Sequence, residues 1–401
     1  MNIPRKKCLL ILPRLPYPPV GGDKLKSYNL VKILHELYDL SIVIVSEEKL
    51  NLECTEFLEK NSIHYKLFSY PKWRFYLNAL RSLFTGNSLQ VEFYYFREVQ
   101  SYCDKLIAEN DIVMSNLIRT AKYLNTDSAR YKLRLLDMVD SIAINYTRSI
   151  DKVESYVWKM IYTFEAKRLM EFEKECVKNF SATFFVNKSE CDYWSEYGKT
   201  FHIPNGVNEE LFSYSKKLSH YSNALTFFGK MNYQPNVDAV VWYLKNVHPL
   251  VDKEILFVIL GANPSSVINK YAKLDNIEVT GFVRDPYAIV NSSFATIAPM
   301  QTGAGIQNKV LEGMALGQVN VLSTLAANPI LNAEHGKHFL VEDDPIKLAS
   351  MINDLFKNPT KYDSIRANAK ELISNIYTWS NYRSKFCQMI LSIENKRTDG
   401  Q

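Results

Sequence analysis

Short apolar runs alternate with stretches of helical spacing along nearly the whole chain. Cys8-Leu9-Leu10-Ile11-Leu12 is the first run, and Leu40-Ser41-Ile42-Val43-Ile44-Val45 is the second. Between them Leu25, Tyr28, Leu30, Val31 and Leu34 recur at the intervals of one helix face. Runs this apolar read as strands buried on both sides, the pattern of a parallel sheet. Further runs at 111–114, 133–137 and 182–186 continue the series, with a long helical stretch over 151–178. Phe201 to Val207 ends the first half in a Pro204-Asn205-Gly206 turn. The alternation then restarts, with strands expected at 224–229, 255–261, 277–283, 294–299 and 319–323. Helices are expected between them, then at 345–356 and 360–376, and last from about 379 to 394. Such βα repetition predicts an α/β chain of two doubly wound domains, 1–205 and 206–376, followed by a segment over 377–401. A cleft between two such domains is the default place for a ligand.

Two glycine turns follow strands. Gln301-Thr302-Gly303-Ala304-Gly305 leads into a helix with Ile306, Val310, Leu311, Met314 and Ala315 on one face. Such a turn leaves backbone N–H groups at a helix N-terminus, where the dipole favours an anion. Lys309 and Glu312 lie one turn apart and share a face. A cation near phosphate and a carboxylate near hydroxyls suit a sugar nucleotide; a structural turn before an ordinary solvated Lys/Glu pair fits the same residues. The other turn ends a proline-rich loop, Pro13 to Asp23, in Gly21-Gly22, without dinucleotide-fingerprint spacing. Asp137 and Asp140 fall just past an expected strand, at the edge where α/β sheets carry their sites. A carboxylate there can act as a base or polarise an acceptor hydroxyl, and Asp140-Ser141 can equally cap a helix.

Composition narrows the picture. With 401 residues, 47% of them hydrophobic, the chain has material for two or three cores. The net charge of +5 comes with no recognisable nucleic-acid module, so no nucleic-acid partner is expected. Six scattered cysteines without a C-x-x-C pair fit a reducing compartment. The apolar run after the basic start is too short for a leader or a membrane span, which points to the cytoplasm. From 65 to 97 the chain is aromatic and basic, with Glu92 its only acid. That composition suits peripheral contact with an anionic membrane or a lipid-linked acceptor; aromatics in a core with cations at its rim give the same composition.

The ordered set of motifs resembles retaining glycosyltransferases of the GT-B fold, family 4, with its glycosyl transferases group 1 domain. Within it the chain is similar to bacterial transferases of exopolysaccharide, capsule or O-antigen synthesis. The resemblance runs over Leu15–Lys24, Leu136–Ser141, Ile203–Val207, Tyr233–Ala239, Val279–Val283, Gly305–Ala315 and Tyr377–Trp379. It implies sugar transfer from a nucleotide-sugar donor to an acceptor hydroxyl, with anomeric retention, no metal and no other cofactor. It also implies a final helix that returns to the first domain. By motif match Glu312 would take hydrogen bonds from the ribose, and Gly303, Ala304, Gly305 and Ile306 would face phosphate or sugar. Phe282 and Val283 would lie against the base, Asn205 near the donor, and Gly21 and Gly22 across from its phosphate. Asp137 or Asp140 would serve the acceptor side.

Two departures stand out. Ala304 occupies the place of the first glutamate of the family's E-x7-E motif. The usual pyrophosphate-clamping Arg and Lys are replaced by Lys230 after Gly229, together with Lys309. These lysines would share the cationic role, since charge on the leaving phosphate needs compensation. Three readings follow: an active transferase at the cytosolic membrane face, a non-catalytic protein that binds a sugar nucleotide or a partner transferase, and a sugar-nucleotide epimerase.

Overall fold

The computed structural model describes residues 5–19, 21–150, 155–303 and 305–398. The chain divides into two compact units: one runs from Pro204 to Tyr382, and the other joins the residues up to Ile203 with those from Arg383 onward.

The first unit is built on a seven-stranded parallel sheet. Its strands are β1 (Lys7–Leu12), β2 (Asp39–Ser46), β3 (His64–Ser69), β4 (Ile112–Asn116), β5 (Leu133–Val139), β6 (Ala182–Phe185) and β7 (Thr200–His202), in the order 3-2-1-4-5-6-7. The apolar runs form the middle of the sheet: β4 and β6 are buried throughout, and β1 is exposed only at Lys7. β3 alternates exposed and half-buried positions, as an edge strand does. For that reason it gives no apolar run to read in the sequence.

The expected final helix spans Trp379–Thr398, and from Arg383 it belongs to the first unit. Phe386 is fully buried, with its ring 5.1 Å from that of Phe184. Glu394 pairs with Lys6 at 3.0 Å, and Arg383 with Glu36 at 2.8 Å. These two exposed pairs add little, so the apolar contact is what fastens the helix.

The 65–97 stretch splits between two environments. Tyr70, Phe75 and Phe96 are core, with the Tyr70 and Phe96 rings stacked 4.1 Å apart. Glu92 is buried and paired with Lys122. Only the Lys72–Thr85 helix turns large apolar side chains outward.

The second unit has a six-stranded parallel sheet in the order 10-9-8-11-12-13. Its strands are β8 (Ala224–Phe228), β9 (Leu256–Leu260), β10 (Ile277–Gly281), β11 (Ala295–Ala298), β12 (Val319–Leu322) and β13 (Leu340–Val341). β13, two residues long, gives no recognisable run. In each sheet the order reverses beside the first strand, between β1 and β4 and between β8 and β11. Open α/β sheets bind ligands outside the carboxyl ends of strands at such a switch point. Gly261 fixes the loops there: a Cβ on it would fall 1.7 Å from the Gly229 carbonyl oxygen, so the turn after β9 lies directly against the turn after β8.

Phe386→Ala empties a fully buried ring site. It should cost the first unit about 3–5 kcal/mol, measured as a lower denaturation midpoint. An unchanged midpoint would mean that the last helix contributes no packing to that unit.

Candidate functional site

At the switch point of the second sheet the side chains converge on one lysine. β8 is followed by Gly229, held at φ 146°, and the Gln234–Asn246 helix starts five residues later with Pro235 in its first turn. Asn236 is buried there. Its amide nitrogen donates to the Lys230 carbonyl at 2.9 Å, and its Oδ1 accepts from Lys309 Nζ at 2.5 Å. Lys309 comes from the Asn308–Ala315 helix, whose residues Val310, Leu311, Met314 and Ala315 are buried against the sheet. Gly313 lets that helix approach: a Cβ there would meet Asn320 Oδ1 at 2.6 Å. Gly229 does the same for the amide, since its Cβ would stand 2.9 Å from Asn236 Nδ2. The Lys309 ammonium lies 4.2 Å from the centre of the Phe227 ring and 3.6 Å from Met300 Sδ.

An ammonium with an amide, a thioether and a ring for neighbours is poorly compensated. Burial pulls the Lys309 pKa down to about 7, with only the more distant Glu312 charge opposing. Burial also pushes Glu312 up to about 7, against a hydrogen bond from the Tyr287 hydroxyl and the attraction of Lys309. An anion reaching this edge would supply the charge that the protein leaves out.

The structure brings Gly229, Lys230, Lys309 and Glu312 to the carboxyl edges of β8 and β11. Lys230 is exposed and is held through its carbonyl. Gly303, at φ 105°, is exposed and packs beside Pro235; Gly305, at φ 76°, is buried, and Ile306 is half-buried. Ala304 lies outside the described residues. Gln307 precedes the Asn308–Ala315 helix without a capping side-chain bond. Phe282, 75% exposed, and Val283, packed on the core, stand at the end of β10, two strands away from β8. Asn205 is buried at the start of this unit, and its Oδ1 has no hydrogen-bond partner. Asn236 and Tyr287 were not singled out as site residues by sequence. For Asn236 the available signal was its place right after the proline that opens a helix.

In the first unit Asp137 is fully buried on β5. It accepts from Lys26 Nζ at 2.7 Å and from Asn116 Nδ2 at 3.0 Å. Lys26 comes from the Gly22–Leu37 helix, which starts after Gly21 at φ 98°; the Gly21 carbonyl accepts from the Leu25 amide at 2.9 Å. With both oxygens engaged, Asp137 anchors the glycine turn to the sheet and is not open to an acceptor. Asp140 is different. Val139 takes φ 67°, a costly conformation for a β-branched residue, as the chain leaves the strand. Asp140 is half-buried and its Oδ1 has no hydrogen-bond partner. Burial raises its pKa to about 6, helped by Asp137 and opposed by Lys26. The capping role falls to Ser141, whose Oγ accepts from the Ile144 amide at 3.2 Å, so Asp140 is not used up as a cap. Elsewhere in this unit Arg14 and Arg119 meet at Tyr94: Arg14 bonds to it, and Arg119 lies 5.7 Å from the centre of its ring. Burial, then Arg119, lowers the Arg14 pKa.

Residues 222–358 match the family model Glycosyl transferases group 1. The matched segment holds Gly229, Asn236, Gly303, Lys309 and Glu312, so the buried lysine and its amide clamp lie within it. Over 388 residues the chain is 24% identical to an uncharacterized 44.6 kDa protein in the cps region of Klebsiella pneumoniae, covering 92% of this chain and 96% of that one. Among solved structures it resembles HepE of Anabaena in complex with UDP and glucose, at 14% identity and a TM-score of 0.62, over 96% of this chain and 100% of that one. It also resembles a sucrose-phosphate synthase of Thermosynechococcus elongatus, at 13% identity and a TM-score of 0.66, over 98% and 100% of the two chains. These structural likenesses are likenesses of fold: two Rossmann-like parallel sheets in one chain, shared with GT-B glycosyltransferases.

A lysine whose folded pKa is depressed weakens the fold most below pH 7, and the penalty fades as pH rises toward its unfolded value near 10.5. Lys309→Met should therefore raise stability by roughly 1–3 kcal/mol at pH 7, and by less at pH 10, in thermal melts at each pH. A large loss of stability would make the lysine a structural residue.

Proposed function

We propose that this chain is a retaining, metal-independent glycosyltransferase that moves a sugar from a nucleotide-sugar donor to a glycan hydroxyl in surface polysaccharide synthesis. The observation that carries the reading is the buried Lys309, hydrogen-bonded to an amide oxygen rather than a carboxylate at a sheet switch point, inside a segment matching glycosyl transferases group 1. The donor diphosphate lies against Lys309, Lys230 and the Gly303–Ile306 turn, where charge on the departing phosphate is offset as the glycosidic bond breaks. Glu312 accepts from the ribose hydroxyls, and Phe282 with Val283 holds the base. Asn205 offers its unpartnered oxygen to the donor. Asp140 orients the acceptor hydroxyl, a role that Asp137 gives up to its pair with Lys26. Support for a uridine nucleotide comes from HepE, whose structure holds UDP and glucose, and from an S. aureus TarM variant in complex with UDP, alpha-GlcNAc-glycerol and fondaparinux. The cps-region relative supports the polysaccharide setting; the acceptor in this reading is a lipid-linked glycan or an oligosaccharide at the cytoplasmic face.

One observation favours a second reading. Ala304 stands where the motif glutamate would touch the donor sugar, which suits a protein that binds a sugar nucleotide without transferring it.

The test is a thermal-shift screen of the folded protein against UDP-, GDP-, ADP- and dTDP-sugars without added metal, followed by transfer of the labelled sugar to a lipid-linked acceptor. One nucleotide class should raise the melting temperature, since a ligand of the folded state stabilises it. Glu312→Gln should weaken that binding about 10- to 100-fold. A shift without transfer selects the non-catalytic reading, and conversion of the free donor sugar selects an epimerase. No shift with any donor contradicts the transferase and epimerase readings and leaves a non-catalytic protein that binds a partner transferase.

A further inference from the structure

The Lys72–Thr85 helix is inside out. Its inward residues are Phe75, Asn78 and Ser82, two of them polar. Trp73, Tyr76, Leu77, Leu80, Leu83 and Phe84 face outward, Phe84 at 90% exposure. A surface helix of a soluble domain carries the opposite arrangement. The orientation is fixed by Phe75, packed against the Phe93, Tyr94 and Phe96 rings, and by Asn78, whose Nδ2 donates to the Tyr95 carbonyl at 2.9 Å.

The Tyr156–Asn179 helix begins the same way. Tyr156, Val157, Trp158, Met160 and Phe164 are exposed, while the buried residue of this stretch is a carboxylate, Glu165. Glu165 accepts from Ser88 Oγ at 2.6 Å, from the Leu89 amide at 2.8 Å and from the Gln90 amide at 2.9 Å. These donors lie at the start of the Leu89–Phe93 helix, which directly follows the Lys72–Thr85 helix. Arg168 adds a second tie, its guanidinium reaching the Ser82 carbonyl at 3.4 Å and the Asn87 carbonyl at 3.5 Å. These hydrogen bonds tie the Tyr156–Asn179 helix to the segment that ends the Lys72–Thr85 helix, within one unit.

Charge selects the occupant. Neither 71–88 nor 155–164 contains an aspartate or glutamate, whereas Lys72, Arg74, Arg81 and Lys159 lie within them. Lys72 and Arg74 reach Glu47 at 3.9 Å and Glu98 at 3.1 Å, both outside these segments. Two-fold pairing with a second copy would set cations against cations. Anionic headgroups would pair with them instead, with the aliphatic side chains in the acyl boundary and Trp and Tyr at headgroup level.

We infer that the outer face of the Lys72–Thr85 helix and the first turns of the Tyr156–Asn179 helix form one docking surface for an anionic lipid bilayer. It is narrower than the 65–97 stretch and includes a helix beyond it. The surface deepens the transferase reading, on which its purpose rests, by placing the first unit where a lipid-linked acceptor is found. Its test does not depend on transfer.

Full-length protein is sedimented with vesicles of phosphatidylcholine alone or mixed with phosphatidylglycerol, and its oligomeric state without lipid is read by sedimentation velocity. The expected result is a monomer that partitions at least tenfold better onto the anionic vesicles. Leu80→Glu with Phe84→Glu, and separately Trp158→Glu with Phe164→Glu, should each lower partitioning at least tenfold. Because these positions are exposed, melting temperature and any donor-induced shift should stay as in the parent chain. No preference for anionic vesicles, undiminished binding by both variants, or a dimer that the variants dissociate would overturn the inference.

Discussion

The candidate site of the second unit is organised around one poorly compensated lysine. Lys309 is carried into a buried position by a helix whose other buried side chains are apolar, and it meets there an amide oxygen rather than a carboxylate. Burying an ammonium in this way works against folding, and the unit tolerates it because the rest of the core is continuous around it. Much of the local sequence serves this contact. Gly229 and Gly313 remove side chains that would block it, and Asn236 ties it to the backbone of the opposite loop. We propose that a residue held at such a cost is kept for what binds there, and an ammonium at a sheet switch point suits an anion.

The first unit solves the same electrostatic problem the other way. Lys26 and Asp137 are as deeply buried, but they neutralise each other, and Asn116 completes the set. Breaking such a pair costs far more than its presence gains, so it reads as an anchor for the helix after the glycine turn. Asp140, three residues on, keeps a carboxylate oxygen without a hydrogen-bond partner. The contrast between the two aspartates is set by Val139, whose backbone turns the chain out of the strand between them.

Much of this was legible in the sequence, for physical reasons. Strands buried on both faces must be apolar throughout, so the central strands announced themselves, and the glycine turn before Lys309 was visible as strand, glycines, helix. The edge strand β3 was hidden because half of its side chains meet solvent. Asn236 was hidden because its role depends on a partner 73 residues away, which no local pattern encodes. Asp137 and Asp140 could not be told apart until Lys26, far away in sequence, was seen to engage only one of them by hydrogen bond. In the 65–97 stretch composition alone could not separate rings that stack in the core from those that face outward.

The central claim is that Lys309 is kept for an anionic donor. The most direct test is the number of protons exchanged on donor binding, measured by titration calorimetry at pH 8 in buffers of different ionisation enthalpy. With its pKa near 7 the lysine is mostly neutral before the donor arrives, and a diphosphate beside it would charge it. The account predicts uptake of about one proton per donor bound in the parent protein and none in Lys309→Met. Donor binding with no proton uptake in the parent would contradict it.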